Sequence, residues 1–124
     1  MNKKCISLLA REFWLNGEIS SHCCCFFIGF DDGTWLKALY NDELCLWELI
    51  DSDEVPDINN PVGDKSFYYP YKEYMPKELD NCGALINSEL QNNNKLIINF
   101  SSNLQVVLQY DPIKEEESIE IRTA

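Results

Sequence analysis

The sequence CCCFFIGFDDGTWLKALYNDELCLWELI, residues 23–50, contains three apolar runs that are separated only by residues typical of tight turns. Asp32-Gly33 lies between the first two runs, and glycine tolerates the positive φ that a short hairpin loop needs. Residues 41–43, Asn-Asp-Glu, separate the second run from the third. This stretch therefore predicts three antiparallel strands that follow one another as a meander.

Outside this stretch, the spacing of apolar residues predicts both helices and strands. Intervals of three and four residues predict an N-terminal helix over about 3–16 and a second helix over about 77–91. A strand over 84–90 is the alternative to the second helix, because Gly83 weakens a helix. Further strands are predicted over 95–100, 104–110 and 118–122. The expected fold class is α+β, with an antiparallel β-meander sheet of five to six strands packed by one or two helices.

The chain of 124 residues is expected to form one domain, 1–124. One interpretation divides it into two related helix-plus-meander halves, about 1–50 and 75–124, joined by a loop rich in Pro and Tyr over 51–74. Three pairs of identical residues lie seventy positions apart: Ile28 and Ile98, Phe30 and Phe100, Tyr40 and Tyr110. Hairpins of similar length also produce such matches, so duplication and coincidence are both open interpretations.

The composition is strongly acidic, with 21 Asp and Glu residues against ten Lys and Arg residues and a formal net charge of -11. Nucleic-acid-binding proteins neutralise phosphates with Lys and Arg, so we expect no direct binding of nucleic acid or of an anionic membrane. A basic protein is the partner that this charge attracts, and such attraction accelerates association.

Histidine and cysteine occur together in the block His22-Cys23-Cys24-Cys25. These residue types form zinc sites and the active sites of cysteine hydrolases. In a strand, however, successive side chains point to opposite faces, so Cys24 is expected to face away from Cys23 and Cys25. We therefore interpret these cysteines as small buried apolar residues, and we expect no metal site, no cofactor and no catalytic residue.

The N-terminal apolar run is interrupted by Arg11 and Glu12, and no later stretch reaches the roughly 18 uninterrupted apolar residues of a membrane span. We therefore expect a cytoplasmic protein without a signal peptide. In that compartment the six cysteines are expected to stay reduced, without a structural disulfide.

Two groups of residues are candidate contacts with a partner. The first consists of acidic residues in the turn after Tyr40 and in the loop after Ile50, which are expected to form one negative patch or a merely solvated face. The second is the Tyr-rich segment 67–74, because Tyr offers a large contact area with little rotamer entropy to lose. A packed crossover is the alternative role of that segment. The candidate partner-binding residues are Asp42, Glu43, Asp51, Asp53, Glu54, Asp57, Tyr68, Tyr69, Tyr71 and Tyr74.

In its small size, acidic charge and one-domain build, the whole chain resembles the immunity proteins that neutralise toxin domains in bacterial competition, including contact-dependent growth inhibition. These proteins share no common motif, so the resemblance transfers no functional residue. It implies a cognate toxin domain, frequently a nuclease, that is bound through complementary charge and shape. The immunity protein is then expected to be a monomer or a weak dimer.

Two alternatives of other classes are open. One is a non-catalytic adaptor, such as a phage or host-defence accessory protein, that binds another macromolecule without inhibiting it. The other is a domain that binds a small ligand or catalyses a reaction, which a deep pocket with convergent polar groups would support.

Overall fold

The computed structural model describes residues 4–74, 86–92, 94–100 and 104–123. Every regular element in these residues is a strand, and the strands form two antiparallel sheets. The first sheet contains β1 (Cys5–Leu15), β2 (Glu18–Phe30), β3 (Trp35–Asn41), β4 (Leu46–Asp51), β5 (Val62–Gly63), β6 (Phe67–Tyr69) and β7 (Tyr71–Glu73). The second contains β8 (Ile86–Asn92), β9 (Lys95–Phe100), β10 (Leu104–Asp111) and β11 (Glu116–Thr123).

The predicted α+β class is wrong, because the described part of the chain is all β. The segment 3–16, predicted as a helix, is occupied by β1 from Cys5 onwards. Leu8, Leu9 and Ala10 are all buried, since both faces of this strand are covered. A strand covered on both faces does not alternate between apolar and polar residues, so its sequence is easily read as helical.

The second predicted helix, over about 77–91, is also wrong where the structure describes it, because β8 covers Ile86–Asn92. The alternative strand over 84–90 was close to the observed one. Residues 77–85 lie outside the described residues. No helix among the described residues meets the length and apolarity that crossing a membrane requires.

The antiparallel meander predicted for 23–50 is confirmed. In the first sheet β4, β3, β2 and β1 are neighbours in that order, and the second sheet has the corresponding order β11, β10, β9 and β8. The predicted loop 51–74 instead contributes three strands to the first sheet. β6 and β7 pair with β1, and β5 pairs with β6.

The main hydrophobic core lies between the two sheets. Phe26 and Ile28 of β2 and Trp47 of β4 are fully buried in it, together with Ile98 and Leu108 of the second sheet. Burial of such side chains contributes about 2 kcal/mol each relative to exposure to water, so this layer dominates the stability of the fold.

A second apolar cluster lies on the outward face of the first sheet. Leu9, Cys25 and Phe27 are buried there, and Trp35 and Tyr71 pack against them. The cluster forms because adjacent residues of β1 and β2 are apolar on both faces of the sheet. The first sheet therefore has a covered outward face as well as a covered inward face.

Strand β2 is irregular at the cysteines. Between Ser21 and Cys25 it advances by four residues while the facing β1 advances by two. As a result Cys23 lies in the main core and Cys25 in the outer cluster, on opposite faces, in contrast to the predicted alternation. Burial raises the pKa of Cys24 to about 11 and that of Cys25 to about 12, so these thiols are protonated and weakly reactive at neutral pH. All five cysteines in the described residues are free thiols, and Cys82 lies outside them.

The outer edge of β4 is capped by a side chain of the second sheet. Gln91 Oε1 accepts a hydrogen bond from the backbone N–H of Trp47 at 2.9 Å, and Gln91 Nε2 donates to the Trp47 carbonyl at 2.5 Å. The Trp47 indole N–H donates to the carbonyl of Asn94 at 3.0 Å. One side-chain amide thus satisfies two backbone groups that a strand edge leaves unpaired.

Candidate protein-binding surface

The turn between β3 and β4, residues 42–45, is closed by one side chain. Asn41 Oδ1 accepts hydrogen bonds from the backbone N–H groups of Glu43 and Leu44 at 3.0 and 3.1 Å. The turn ends at Cys45, whose φ of 55° is left-handed. The Asn side chain therefore fixes the path of the turn, as is typical of Asx turns.

The turn between β10 and β11, residues 112–115, has the same construction. Asp111 Oδ1 accepts hydrogen bonds from the backbone N–H groups of Ile113 and Lys114 at 2.9 and 3.2 Å. This turn ends at Glu115, whose φ is 53°. Each of these features lies seventy residues after its counterpart in the first turn, so both meanders place an equivalent turn at the end of their third strand.

A pair of stacked tyrosines lies between the two turns. The rings of Tyr40 and Tyr110 have centroids 4.0 Å apart and planes inclined by 13°. Tyr40 also packs edge-on against Trp47 at 5.6 Å, and its hydroxyl donates to Asn94 Oδ1 at 2.7 Å. These contacts fix the position of the pair, which joins the two sheets through aromatic packing.

The stacked pair forms one side of an open cleft of about 780 Å³ that we call the tyrosine cleft. Three carboxylates line the tyrosine cleft, those of Asp42, Glu115 and Glu117. The other lining residues are Cys45, Asn94 and Pro112. Among the described lining residues there is no Lys or Arg to neutralise these charges.

Burial, more than charge, raises the pKa of the two tyrosines of the cleft. Partial burial, followed by the charges of Asp42, Glu115 and Glu117, raises the pKa of Tyr110. Partial burial, the Cys45 thiol and the charge of Asp42 raise the pKa of Tyr40 in the same way. A cation placed in the cleft would meet three carboxylates, which are groups that bind guanidinium and ammonium through charge-assisted hydrogen bonds.

The outward face of the first sheet contains a guanidinium that is held by the faces of two aromatic rings and by a carboxylate. The Arg11 guanidinium carbon lies 4.9 Å from the ring centroid of Phe27 and 5.4 Å from that of Tyr71. Its Nη2 atom donates to Glu54 Oε2 at 3.1 Å and to the Tyr71 hydroxyl at 2.9 Å. Aromatic rings combined with a carboxylate are therefore a cation-binding arrangement that this chain uses internally.

The structure does not bring the predicted acidic residues into one patch. Asp42 lines the tyrosine cleft and Glu43 is exposed in the same turn. Asp51 is the last residue of β4 and so lies at the end of that strand far from the turn. At about 3.3 Å per residue it is roughly 17 Å from Leu46, the first residue of the strand. The remaining predicted acids, Asp53, Glu54 and Asp57, follow Asp51 in the loop after β4.

These loop acids are occupied by contacts within the chain. Glu54 binds Arg11, and Asp53 lies 3.8 Å from Lys37 Nζ. The carboxylate of Asp57 accepts hydrogen bonds from the backbone N–H of Asn59 and from the side chain of Asn60, which lower its pKa. The contacts of Glu54 and Asp53 link the loop to the first sheet, whereas those of Asp57 lie within the loop.

The tyrosines of the predicted site also lie in different environments and do not form one surface. Tyr69 stacks on Phe13 at 5.0 Å, Tyr71 belongs to the outer cluster, and Tyr74 packs against the main core. Tyr68 is the exception among the four, since 38% of it is exposed. The segment 67–74 is thus largely a packed edge of the sheet, with Phe67 and Tyr68 turned to solvent.

The residues of the tyrosine cleft were mostly absent from the predicted site. Asp42 was included, whereas Tyr40, Tyr110, Glu115 and Glu117 were not. The available signal was the seventy-residue spacing, because a Tyr followed by Asn or Asp precedes each turn. What the sequence does not contain is the packing that places the two turns face to face.

The histidine and cysteine block does not form a metal site in the described residues. His22 is exposed, whereas Cys23 is fully buried in the main core. Nowhere in the described ranges are three His, Cys, Asp or Glu side chains placed so that they could hold a metal ion together. Comparison of the chain with known protein families, with characterised proteins and with solved structures gives no match.

Proposed function

We propose that this chain is an immunity protein that binds and neutralises a cognate basic toxin domain in the cytoplasm, in a system such as contact-dependent growth inhibition. The observation that supports the proposal is the tyrosine cleft, where Asp42, Glu115 and Glu117 surround a stacked aromatic pair without a balancing Lys or Arg in its described lining. Such an arrangement is suited to receive a Lys or Arg side chain of a partner protein.

The proposal gives a physical route to inhibition. A nuclease holds the phosphates of its substrate with Lys and Arg side chains. Carboxylates that reach these side chains take the places of the phosphates and exclude the substrate. The net charge of -11 adds long-range attraction, which accelerates encounter at low salt.

The first test is co-expression with the C-terminal domain of the protein encoded immediately upstream of this chain. We expect that domain to arrest growth when expressed alone, and growth to recover when this chain is present and co-elutes with it. Absence of both toxicity and a complex would contradict the proposal. A complex without toxicity would instead support the adaptor alternative.

Charge-neutralising variants locate the contact within the chain. With Asp42→Asn and Glu115→Gln combined, we expect association with the toxin domain at low salt to slow about tenfold, because two carboxylates of the cleft lose their charge. The matched control combines Asp51→Asn and Asp53→Asn, which removes the same charge at the other end of β4. Equal slowing in both double variants would show that only net charge matters and would exclude the cleft as the contact.

A further inference from the structure

We propose that a groove lined by Trp14 and Tyr68 is a carbohydrate-binding site that takes an uncharged sugar. The groove has a volume of about 630 Å³ and lies where the β5–β6 hairpin joins β1. Small-molecule sites have volumes of roughly 300 to 1,000 Å³, so the groove is of the size that a small ligand needs. The inference goes beyond the proposed function and does not depend on it, because the groove shares no lining residue with the tyrosine cleft. We call it the Trp14 groove.

Two aromatic side chains line the Trp14 groove from neighbouring strands. Trp14 and Tyr68 are direct partners in the β1–β6 register, so their side chains lie on the same face of the sheet. Tyr68 is 38% exposed, and Trp14 is half-buried. An aromatic ring offers an apolar surface whose face is negatively polarised. Such a surface suits the C–H groups on the flat side of a sugar ring.

A glycine continues this row of residues across the hairpin. Gly63 pairs with Tyr68 in the β5–β6 register, so the two lie on the same face. The φ of Gly63 is 114°, and a Cβ atom at this position would lie 2.0 Å from the carbonyl oxygen of Phe67. Any other residue would have to move the backbone. The side of Tyr68 away from Trp14 is therefore kept free of a side chain.

Three polar side chains line the same groove, and they come from two adjacent turns. Asn16 lies in the β1–β2 turn, whereas Asp64 and Lys65 lie in the β5–β6 turn. The backbone N–H of Asn16 donates to the carbonyl of Ser66 at 2.9 Å, which joins the two turns. The groove thus presents hydrogen-bonding groups on its turns next to aromatic groups on its strands.

The polar side chains supply both donors and acceptors. Asp64 Oδ1 accepts hydrogen bonds from the backbone N–H groups of Ser66 and Phe67 at 2.8 and 3.2 Å, and these bonds lower the pKa of Asp64. Its carboxylate is therefore an ionised acceptor at neutral pH. Within the part of the chain that the structure describes, the Asn16 amide and the Lys65 ammonium make no hydrogen bond or ion pair. Sugar hydroxyl groups both donate and accept, so they match this mixture.

The lining is positioned before a ligand binds. The Trp14 indole N–H donates to Glu12 Oε1 at 3.1 Å. In the β5–β6 turn, the backbone N–H of Asp64 donates to the carbonyl of Phe67 at 2.8 Å. A preformed site loses less entropy on binding, which matters for a ligand held by stacking and a few hydrogen bonds.

Charge and polarity favour a sugar over other ligands of this size. The net charge of -11 repels a nucleotide or another anion, and Asp64 balances Lys65 within the lining. A purely apolar ligand would cover the polar side chains of the two turns without hydrogen bonding to them, which costs free energy. An uncharged ligand with a flat apolar side and a rim of hydroxyl groups suits both kinds of lining.

The test measures the binding of cellotriose, chitotriose and adenosine monophosphate to the full chain by isothermal titration calorimetry. We expect at least one of the two trisaccharides to bind with a Kd below about 1 mM, and the nucleotide not to bind. Tyr68→Ala should weaken sugar binding about tenfold, because it removes one of the two rings. Lys65→Ala should weaken it about threefold through the loss of a hydrogen-bond donor.

The matched control is Val62→Ala. Val62 precedes Gly63 in β5, is 63% exposed, and points to the opposite face of the hairpin, so sugar affinity should not change in this variant. Lys65 is exposed, so Lys65→Ala keeps the test valid should Tyr68→Ala lower stability.

Binding of neither trisaccharide would overturn the inference. Equal weakening by Val62→Ala and Tyr68→Ala would also overturn it, because the sugar would then not depend on the groove. Nucleotide binding that Lys65→Ala abolishes would assign the groove to an aromatic anion instead. The proposed function is tested separately, since none of these measurements involves the toxin domain.

Discussion

The two four-stranded meanders, β1–β4 and β8–β11, follow the same path and carry the same turn after their third strand, yet their outward faces differ. In the first meander Arg11 lies over Phe27 and Tyr71, and the segment after β4 packs on this face. The second meander carries polar contacts there, such as that between Gln105 and Asn99 at 2.9 Å. The four-stranded path and its turn are therefore common to both meanders and form a shared framework. The segment packed on the outward face is specific to the first meander.

This difference does not involve the tyrosine cleft, which lies on the framework that the two meanders share. The tyrosine cleft needs both meanders, because Tyr40 belongs to one and Tyr110 to the other.

The largest expected effect compares equivalent positions in the two fourth strands. Trp47 is the second residue of β4 and is fully buried, whereas Glu117 is the second residue of β11 and is only partly buried. Trp47→Ala should lower the free energy of unfolding by about 3 to 5 kcal/mol, because it leaves a large cavity in the main core. Glu117→Ala should cost about 1 to 2 kcal/mol, because it removes the acceptor of the buried Ser21 hydroxyl, which donates to Glu117 at 2.7 Å. Urea denaturation measures both, and similar costs would contradict the assignment of the core.

The second effect compares two Arg–Glu pairs, one on the outward face of each sheet. Arg11 pairs with Glu54 while lying between two aromatic rings, and 19% of its side chain is exposed. Arg122 pairs with Glu120 at 2.9 Å in an exposed position. Arg11→Ala should lower the free energy of unfolding by about 2 kcal/mol, since it removes both the cation–π contacts and the ion pair.

Arg122→Ala is the matched control, and its denaturation midpoint should not change, because an exposed ion pair contributes little. High salt should also leave the effect of Arg11→Ala largely intact, because that pair is partly shielded from solvent. Loss of the difference between the two variants in 1 M NaCl would mean that surface charge, and not packing, holds the loop to the first sheet.

The smallest expected effect is the coupling between Tyr40 and Tyr110. A double-mutant cycle with Tyr40→Ala and Tyr110→Ala should show a coupling of about two- to tenfold in the equilibrium constant for unfolding, as stacked rings do. Each single variant should remove most of the shared contact. Strictly additive effects would indicate that the two meanders meet without mutual support at this point.

Strand positions in the meanders were predictable because turn residues separate their apolar runs. β9 spans Lys95–Phe100, as predicted, and β10 extends the predicted strand by one residue to Asp111. β1 was not predictable, because burial on both faces removes the alternation that identifies a strand. The same cause concealed the outer cluster, since nothing in the sequence assigns Leu8 to one face and Leu9 to the other across an irregular register.

The candidate surface was only partly predictable for a different reason. Acidic and aromatic residues are visible in the sequence, but their neighbours are determined by long-range packing. Asp42 and Glu115 are 73 positions apart and share one cleft, whereas Asp42 and Asp51 are nine positions apart and lie at opposite ends of a strand. Composition therefore indicated the type of partner, and topology determined which charges act together.

Because Gln91 caps β4, the order in which the chain is synthesised affects how the first meander folds. The first meander leaves the ribosome complete by residue 51, forty residues before the amide that satisfies the backbone of Trp47. During that interval the nascent chain presents an open strand edge next to a large indole that has no core to enter. We expect this intermediate to be the species most prone to aggregate, and a chaperone that covers it should raise the yield of native protein more than one acting on the finished chain.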